Sequence, residues 1–198
     1  MSSLLEMLAG MAGQENANLA GAIGADEGST QDAVLAALPL LLGALQRNAS
    51  TPEGASSLQA ALERDHDGSI LDGIGDLIRD PSVSSGDGIL RHSLGDRRQA
   101  VEQGLGKTSG LDASQVSRLL MTLAPMVMGM LGKARREQGL DSGALSDMLT
   151  TERRATESSA PDLASLAGRL IDSEGDGLDL DDIAKAGGSL LGGLFKKR

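Results

Sequence analysis

The chain lacks cysteine, tryptophan and tyrosine, and Phe195 is its only aromatic residue. The absence of cysteine excludes disulfide bonds and thiol nucleophiles, and it is consistent with a reducing compartment. The scarcity of aromatics means that a core has to be built from Leu, Ala, Met, Val and Ile. Because Leu, Ala and Met favour helices, whereas strands are enriched in β-branched and aromatic residues, this composition predicts an all-α fold.

Positive charge is also scarce, since 18 Lys and Arg stand against 28 Asp and Glu, for a formal net charge of −10. This balance argues against a nucleic-acid partner, which would require a basic face. The N-terminal apolar stretch has no basic residues before it and is interrupted by Glu6, so no secretory signal is predicted. The longest apolar run, residues 33–45, is shorter than the roughly 18 residues that a membrane-spanning helix requires. We therefore expect a cytoplasmic protein without a transmembrane segment.

An internal repeat is the most informative pattern in the sequence. Residues 37–45 (ALPLLLGAL) recur in outline 86 positions later as residues 123–131 (LAPMVMGML), and Asp26 matches Asp112 at the same offset. This similarity predicts a tandem-duplicated unit in which a short helix, a long helix and a second short helix follow one another. The alternative is two unrelated apolar helices.

Each predicted long helix contains a proline followed one turn later by a glycine. Proline inside a helix costs about 3 kcal/mol, because it lacks an N–H group and crowds the carbonyl group four residues back. Pro39 and Gly43 would share one helix face, as would Pro125 and Gly129. We hypothesise that both long helices are kinked and that they cross near these glycines, around a pseudo-two-fold axis.

These patterns together predict a helical bundle built from the duplicated unit with its two Pro-kinked long helices, plus a short C-terminal helical appendage. Residues 1–149 form the predicted core domain. Residues 150–161 are polar and charged without apolar periodicity, which is typical of a linker. Residues 162–198 form the predicted appendage, with an acidic loop and amphipathic helices. Within the core, Pro52 after Thr51 marks a helix start, and Gln115 after Asp112 indicates a capping box.

Two acidic Asp-Gly segments, residues 63–74 and 172–183, align at an offset of 109. Acidic residues at alternate positions followed by glycine resemble the first half of a calcium loop, because alternate residues of a tight turn present their oxygens to one point. The second half departs from that pattern, since isoleucine occupies the last position, where a bidentate glutamate is usual. The alternative for both segments is a solvated Asp-Gly turn that leads into a helix. The candidate Ca²⁺ ligands are Asp172, Glu174, Asp176, Asp181 and Asp182.

Two further patterns do not indicate a catalytic site. Residues 104–108 (GLGKT) resemble part of a phosphate-binding loop, but Val101 stands where that loop needs glycine, and the preceding residues favour a helix. We expect this segment to be a helix that ends in glycine, with Lys107 near its carbonyl end. The two histidines, His66 and His92, show neither a metal-binding spacing nor a nucleophile elbow beside them. No cofactor is predicted apart from calcium.

The end of the chain, residues 190–198 (LLGGLFKKR), is apolar and then basic. A short amphipathic helix of this kind can contact a membrane surface, although one such helix binds only marginally. The alternative is a last helix that docks on the body of the protein, with its cations near the negative end of the helix dipole.

Six motifs occur along the chain: AALPxxxGAL (residues 36–45), NASxPEG (48–54), DGSILD (67–72), ILxH (89–92), LAPxVMG (123–129) and the late Asp176-Gly177 pair. Together they resemble the bacterial domain-of-unknown-function 937 family, which includes YidB-related proteins. The resemblance covers nearly the whole chain and implies a bacterial helical protein with no established activity and no assigned catalytic residues. Family members often carry an aliphatic residue where Asp179 stands, which weakens the case for calcium.

The absence of a nucleophile–base set favours a non-enzymatic interaction or scaffolding protein. Such a protein would act through apolar helix faces, with a protein partner or a second copy of itself. Three alternatives stay open: a calcium-responsive protein, a protein that associates with membranes through its C-terminal helix, and an enzyme that uses buried carboxylates. The last would require a concave pocket with converging carboxylates of raised pKa.

Overall fold

The computed structural model describes residues 3–81 and 85–159, with single positions at 161, 165 and 168. Over these residues all regular structure is helical and no strand occurs, which confirms the predicted all-α fold. Short 3₁₀ turns cover Ser69–Gly73 and Gly95–Arg97. The α-helices are α1 (Leu4–Gln14), α2 (Asn16–Ile23), α3 (Glu27–Asn48), α4 (Pro52–Asp65), α5 (Ile74–Arg79), α6 (Gly86–Leu94), α7 (Arg98–Ser109), α8 (Ala113–Gln138) and α9 (Ser142–Ser159).

The helix starts follow from side chains that satisfy the free N–H groups of a first turn. The side chain of Thr51 accepts a hydrogen bond from the N–H of Gly54, and Pro52 occupies the first turn of α4. Asp112 accepts from the N–H of Gln115, whose side chain in turn accepts from the N–H of Asp112. Both predicted helix starts are therefore confirmed.

The long helices α3 and α8 form the centre of the bundle. They contact each other, and between them they contact each of the other α-helices. Leu38, Leu40, Leu123 and Leu131 are fully buried along them. Pro39 and Pro125 lie inside continuous helices, as predicted. The kinks and the tandem duplication remain predictions.

By length and composition, α3 is the single described helix that could cross a membrane. Most of its apolar stretch is buried against the other helices of the same fold. The buried residues span the run from Ala33 to Leu45 that the sequence predicts to be a core helix. Packing within this chain is thus sufficient to explain the composition of α3.

Pro125 also explains how α6 docks on α8. Because proline has no N–H group, the carbonyl oxygen of Met121 lacks its usual donor within the helix. Gly86, the first residue of α6, packs on this carbonyl group so closely that an added Cβ atom would overlap the oxygen. The proline and the glycine therefore form one packing feature across two helices.

The glycines of α8 receive the first Asp-Gly segment rather than α3. A Cβ atom added at Gly129 would lie 2.6 Å from Ile70 and 3.4 Å from Leu71, and one added at Gly132 would overlap the carbonyl oxygen of His66. The hypothesis that α3 crosses α8 at Gly129 is wrong, because the atoms nearest to this glycine are side-chain atoms of Ile70 and Leu71. The close backbone contact lies at Gly132, which the repeat does not single out. The 3₁₀ turn after His66 occupies this face of α8, with its side chains at Gly129 and the backbone of His66 at Gly132.

Residues 150–159, predicted as part of a linker, instead continue α9. Glu152 accepts hydrogen bonds from the N–H groups of Leu4 (2.9 Å) and Leu5 (3.3 Å) at the start of α1. Thr156 is buried, and Thr150 accepts from the side chain of Gln46 at 3.5 Å. These anchoring contacts are polar, so the segment shows no apolar periodicity although it is helical. The division into a core and an appendage remains a prediction.

The segment containing residues 104–108 lies inside α7, in agreement with the prediction of a helix. The helix ends later than expected, because Gly104 and Gly106 are helical and Gly110 forms the left-handed cap at φ 77°. Lys107 lies in the last turn, where its charge complements the helix dipole.

The docking of the Asp-Gly segment on α8 makes Gly132 intolerant of a side chain. We expect Gly132→Ala to lower the free energy of unfolding by about 2–3 kcal/mol, since overpacking of a rigid contact outweighs the gain in helix propensity. Gly21→Ala in α2 is the matched control, because no atom lies within 4 Å of its added Cβ. That control should be neutral or stabilising by up to about 1 kcal/mol. Urea unfolding curves in which both variants behave alike would contradict the described contact.

Candidate binding groove

A groove lies between α4 and α6, over the end of α3 and the middle of α8, and encloses about 320 Å³. Its floor is apolar and includes Leu45 and Met128, both of which are buried. The two walls present residues at helical spacing, so that each helix offers one continuous stripe. The wall residues are Ser57, Leu58 and Ala61 of α4 and Gly88, Ile89 and His92 of α6.

The geometry of the walls is fixed by Asn48 and Gly54. The side-chain amide of Asn48 donates to the carbonyl oxygens of His92 (3.2 Å) and Ser93 (3.3 Å) at the end of α6, where the last carbonyl groups of a helix lack donors within the helix. Gly54 packs so closely on the backbone of Asn48 that a Cβ atom there would overlap the Asn48 carbonyl oxygen. The motif NASxPEG is therefore a structural element that holds α3, α4 and α6 together.

Both histidines of the chain line this groove, which the sequence analysis did not predict. His66 is only 7% exposed, and its Nε2 atom lies 3.5 Å from the Oγ atom of Ser85. Burial lowers the pKa of His66 below its ordinary value of 6.5, the nearby charge of Asp65 opposing this effect. His66 is therefore neutral at pH 7, whereas His92 stands on an exposed turn of α6.

The Ser85–His66 pair contains a hydroxyl group and a base, but its geometry is that of a weak hydrogen bond. A serine nucleophile normally needs a base whose second ring nitrogen is oriented by an acid. The neighbouring carboxylate, Asp65, is instead engaged by the guanidinium group of Arg64 at 2.7 and 2.8 Å. The groove thus combines an apolar floor with neutral hydrogen-bonding groups and the Arg64–Asp65 ion pair, an arrangement suited to holding a largely apolar ligand.

Next to the groove, the first Asp-Gly segment has the geometry of a turn. The backbone of Gly68 is left-handed at φ 100°, and the side chain of Asp67 accepts from the N–H of Ser69 at 3.0 Å. Hydrogen bonding to the side chain of Ser69, together with the bond from its backbone N–H, holds the pKa of Asp67 below its usual value. The segment then enters the 3₁₀ turn and α5. The first segment therefore matches the alternative interpretation, a turn that leads into a helix.

The acidic side chains of this segment already face guanidinium groups. Glu63 pairs with Arg135, and Asp67 lies 3.8 Å from Arg136, so α8 supplies two counter-charges. Over residues 3–81 and 85–159, no group of three or more His, Asp or Glu residues is arranged to hold a metal ion. The candidate ligands Asp172, Glu174, Asp176, Asp181 and Asp182 lie outside the described residues, so calcium binding there remains a prediction.

The fold and the groove define an all-α protein in which elements distant in sequence converge on a mostly apolar site. A family model described as a bacterial protein of unknown function (DUF937) matches residues 6–134, about two thirds of the chain. The chain belongs to this family, as the resemblance of its motifs predicts. No curated protein and no solved structure matches the chain. The groove lies wholly within the matched residues, whereas α9 and the C-terminal segment follow them.

The buried, neutral state of His66 predicts a dependence of stability on pH. The unfolded chain binds a proton at His66 more readily than the folded protein does, so protonation favours unfolding. This contribution is fully present above about pH 7 and is lost as the pH falls through 6.5 towards the lower folded pKa. Asp26 and Asp112, whose pKa values are lowered by backbone hydrogen bonds, lose their contributions only at the more acidic values near and below 3.8.

We expect His66→Gln to flatten the fall in unfolding free energy between pH 7.5 and 5.5, measured by urea unfolding at several pH values. His92→Gln is the matched control, because that histidine is exposed on the same groove. An unchanged slope in His66→Gln, or an equal flattening in both variants, would show that burial of His66 does not cause the dependence.

Proposed function

We propose that this chain is a non-enzymatic interaction protein that holds an apolar polypeptide segment in the groove between α4 and α6. The observation that supports this proposal is the apolar floor of the groove, flanked by two helical stripes. A volume of about 320 Å³ is at the small end of ligand sites, and it suits a cluster of anchoring side chains rather than a whole domain.

The distribution of exposed apolar residues favours the groove over open helix faces. In the part of the chain that the structure describes, Met7 on α1 is the single large apolar residue that is exposed, at 45%. The other apolar stripes of the described helices pack into the common core. An interaction through apolar surface is therefore best supported at a concave site, where side chains of a ligand can be covered on several sides.

The polar groups of the groove support binding rather than catalysis. Oγ of Ser85 and Nε2 of His66 lie 3.5 Å apart, and Asp65 is paired with Arg64. The Ser85–His66 pair therefore has no orienting acid among the groove residues. The side-chain amide of Asn48 donates a hydrogen bond to the carbonyl oxygen of Ser93 at the end of α6. Ser85 and His66 can form hydrogen bonds to the backbone of a bound segment, which fixes its orientation while the apolar floor contributes the affinity.

Two alternatives depend on residues outside the described part of the chain. A calcium response would use Asp172 to Asp182, and membrane contact would use residues 190–198. A cytoplasmic location and the absence of a nucleic-acid partner rest on the composition of the sequence alone. No contact of the described residues favours either alternative over the groove.

The proposal is tested by filling the groove. Ala61 lines it from α4, whereas Ala60, the preceding residue, is exposed and does not line it. The full chain is used as bait in a bacterial lysate, and co-purifying proteins are quantified by mass spectrometry. We expect Ala61→Trp to reduce specific partners at least about tenfold, which corresponds to about 1.4 kcal/mol. Ala60→Trp should retain them.

Thermal unfolding of both variants establishes that each is folded before the capture. If Ala61→Trp and Ala60→Trp are equally folded and capture the same proteins in the same amounts, the groove is not the interaction site. Ser57→Trp, one turn earlier on the same wall, provides a second filling variant whose exposed starting side chain reduces the risk of misfolding.

A further inference from the structure

We infer that the chain's own C-terminal apolar segment, residues 190–195 (LLGGLF), occupies the groove when no partner is bound. This inference rests on the proposed function, because it assigns a tethered occupant to the same site. A partner would then have to displace the segment, so that the end of the chain regulates access to the groove.

The position of α9 puts this segment within reach. The hydroxyl group of Ser146 donates to the carbonyl oxygen of Ala49 at 2.9 Å, so α9 begins beside the end of α3 that contributes Leu45 to the groove floor. Ser159 lies about 20 Å further along the helix, at a rise of about 1.5 Å per residue. Residues 160–189 can extend over at most about 100 Å, several times that distance. Covalent geometry therefore permits the segment to return to the groove.

The small size of the groove favours a tethered occupant. Stable complexes between separate proteins usually bury about 1,200–2,000 Å² of surface, and a site of about 320 Å³ accommodates only a few side chains. A segment of the same chain is present at an effective concentration on the order of millimolar. Weak binding, which would be negligible for a free peptide at micromolar concentration, is therefore sufficient to fill the groove from within the molecule.

The chemistry of the segment complements the groove. It contains three leucines and Phe195, the only aromatic residue of the chain, and aromatic anchors contribute strongly to binding in apolar pockets. Met128 in the floor offers a thioether group, which packs favourably on aromatic rings. Residues 196–198 are basic, in a chain of net charge −10, so the end of the segment is attracted to the body of the protein.

The absence of native cysteine permits a direct test by disulfide trapping in the full chain. Gly193→Cys leaves the apolar side chains of the segment intact, and it is combined with Ala61→Cys on the groove wall. Because a disulfide forms only when the two Cα atoms approach within about 7 Å, the rate of cross-linking reports proximity. The matched control combines Gly193→Cys with Ala60→Cys, which is exposed outside the groove.

Under mild oxidation, we expect the Ala61→Cys pair to cross-link within one molecule at least about tenfold faster than the Ala60→Cys pair. Adding Phe195→Asp should abolish this preference, because the anchor no longer enters the apolar site. Non-reducing gel electrophoresis separates monomeric from dimeric products. Equal rates for the two pairs, or a product that is mainly dimeric, would overturn the inference.

The outcomes distinguish the inference from the proposed function. If the two cysteine pairs react equally while Ala61→Trp still loses its partners, the groove binds other proteins and the C-terminal segment does not occupy it. If the Ala61→Cys pair reacts selectively while Ala61→Trp loses no partner, the segment occupies the groove but the groove does not recruit other proteins.

Discussion

The structure depends on three places where one backbone packs directly on another with no side chain between them. Gly54 lies against the carbonyl group of Asn48, Gly86 against that of Met121, and Gly132 against that of His66. At each of these positions an added Cβ atom would overlap the carbonyl oxygen. The chain has almost no aromatic residues to fill its core. These close backbone contacts therefore fix the positions of the helices relative to one another.

The groove is a consequence of these contacts. The first fixes α4 on the end of α3, the second fixes α6 on α8, and the third fixes the turn that carries His66 on α8. These backbone contacts, rather than side chains that fill the space, set the distance between the wall residues of α4 and those of α6. The floor over Met128 thus remains apolar and concave, while the ends of the groove are polar.

Electrostatics explains the acidic pattern of the first Asp-Gly segment. Arg64 pairs with Asp65, and Arg135 and Arg136 of α8 face Glu63 and Asp67, so that two of these carboxylates contribute to docking on α8. This outcome shows why alternating acidic residues are insufficient evidence for calcium. The same residues can bind a cation or pair with arginines, and the choice depends on which helix is packed beside them.

The sequence by itself determined the local structure of this protein. Its composition predicts helices, and the residues Thr51, Pro52, Asp112 and Gln115 predict where α4 and α8 begin. These features depend on interactions within one or two helical turns, which residue type and spacing encode directly.

Only the tertiary structure decided which elements those contacts join. It placed the turn after His66 at Gly129, although the repeat had indicated α3, and it continued α9 through residues expected to be a linker. It also brought His66 and His92 to one groove with Met128. These outcomes depend on the packing of segments distant in the chain, where many apolar helix faces are chemically equivalent and only steric fit distinguishes between them.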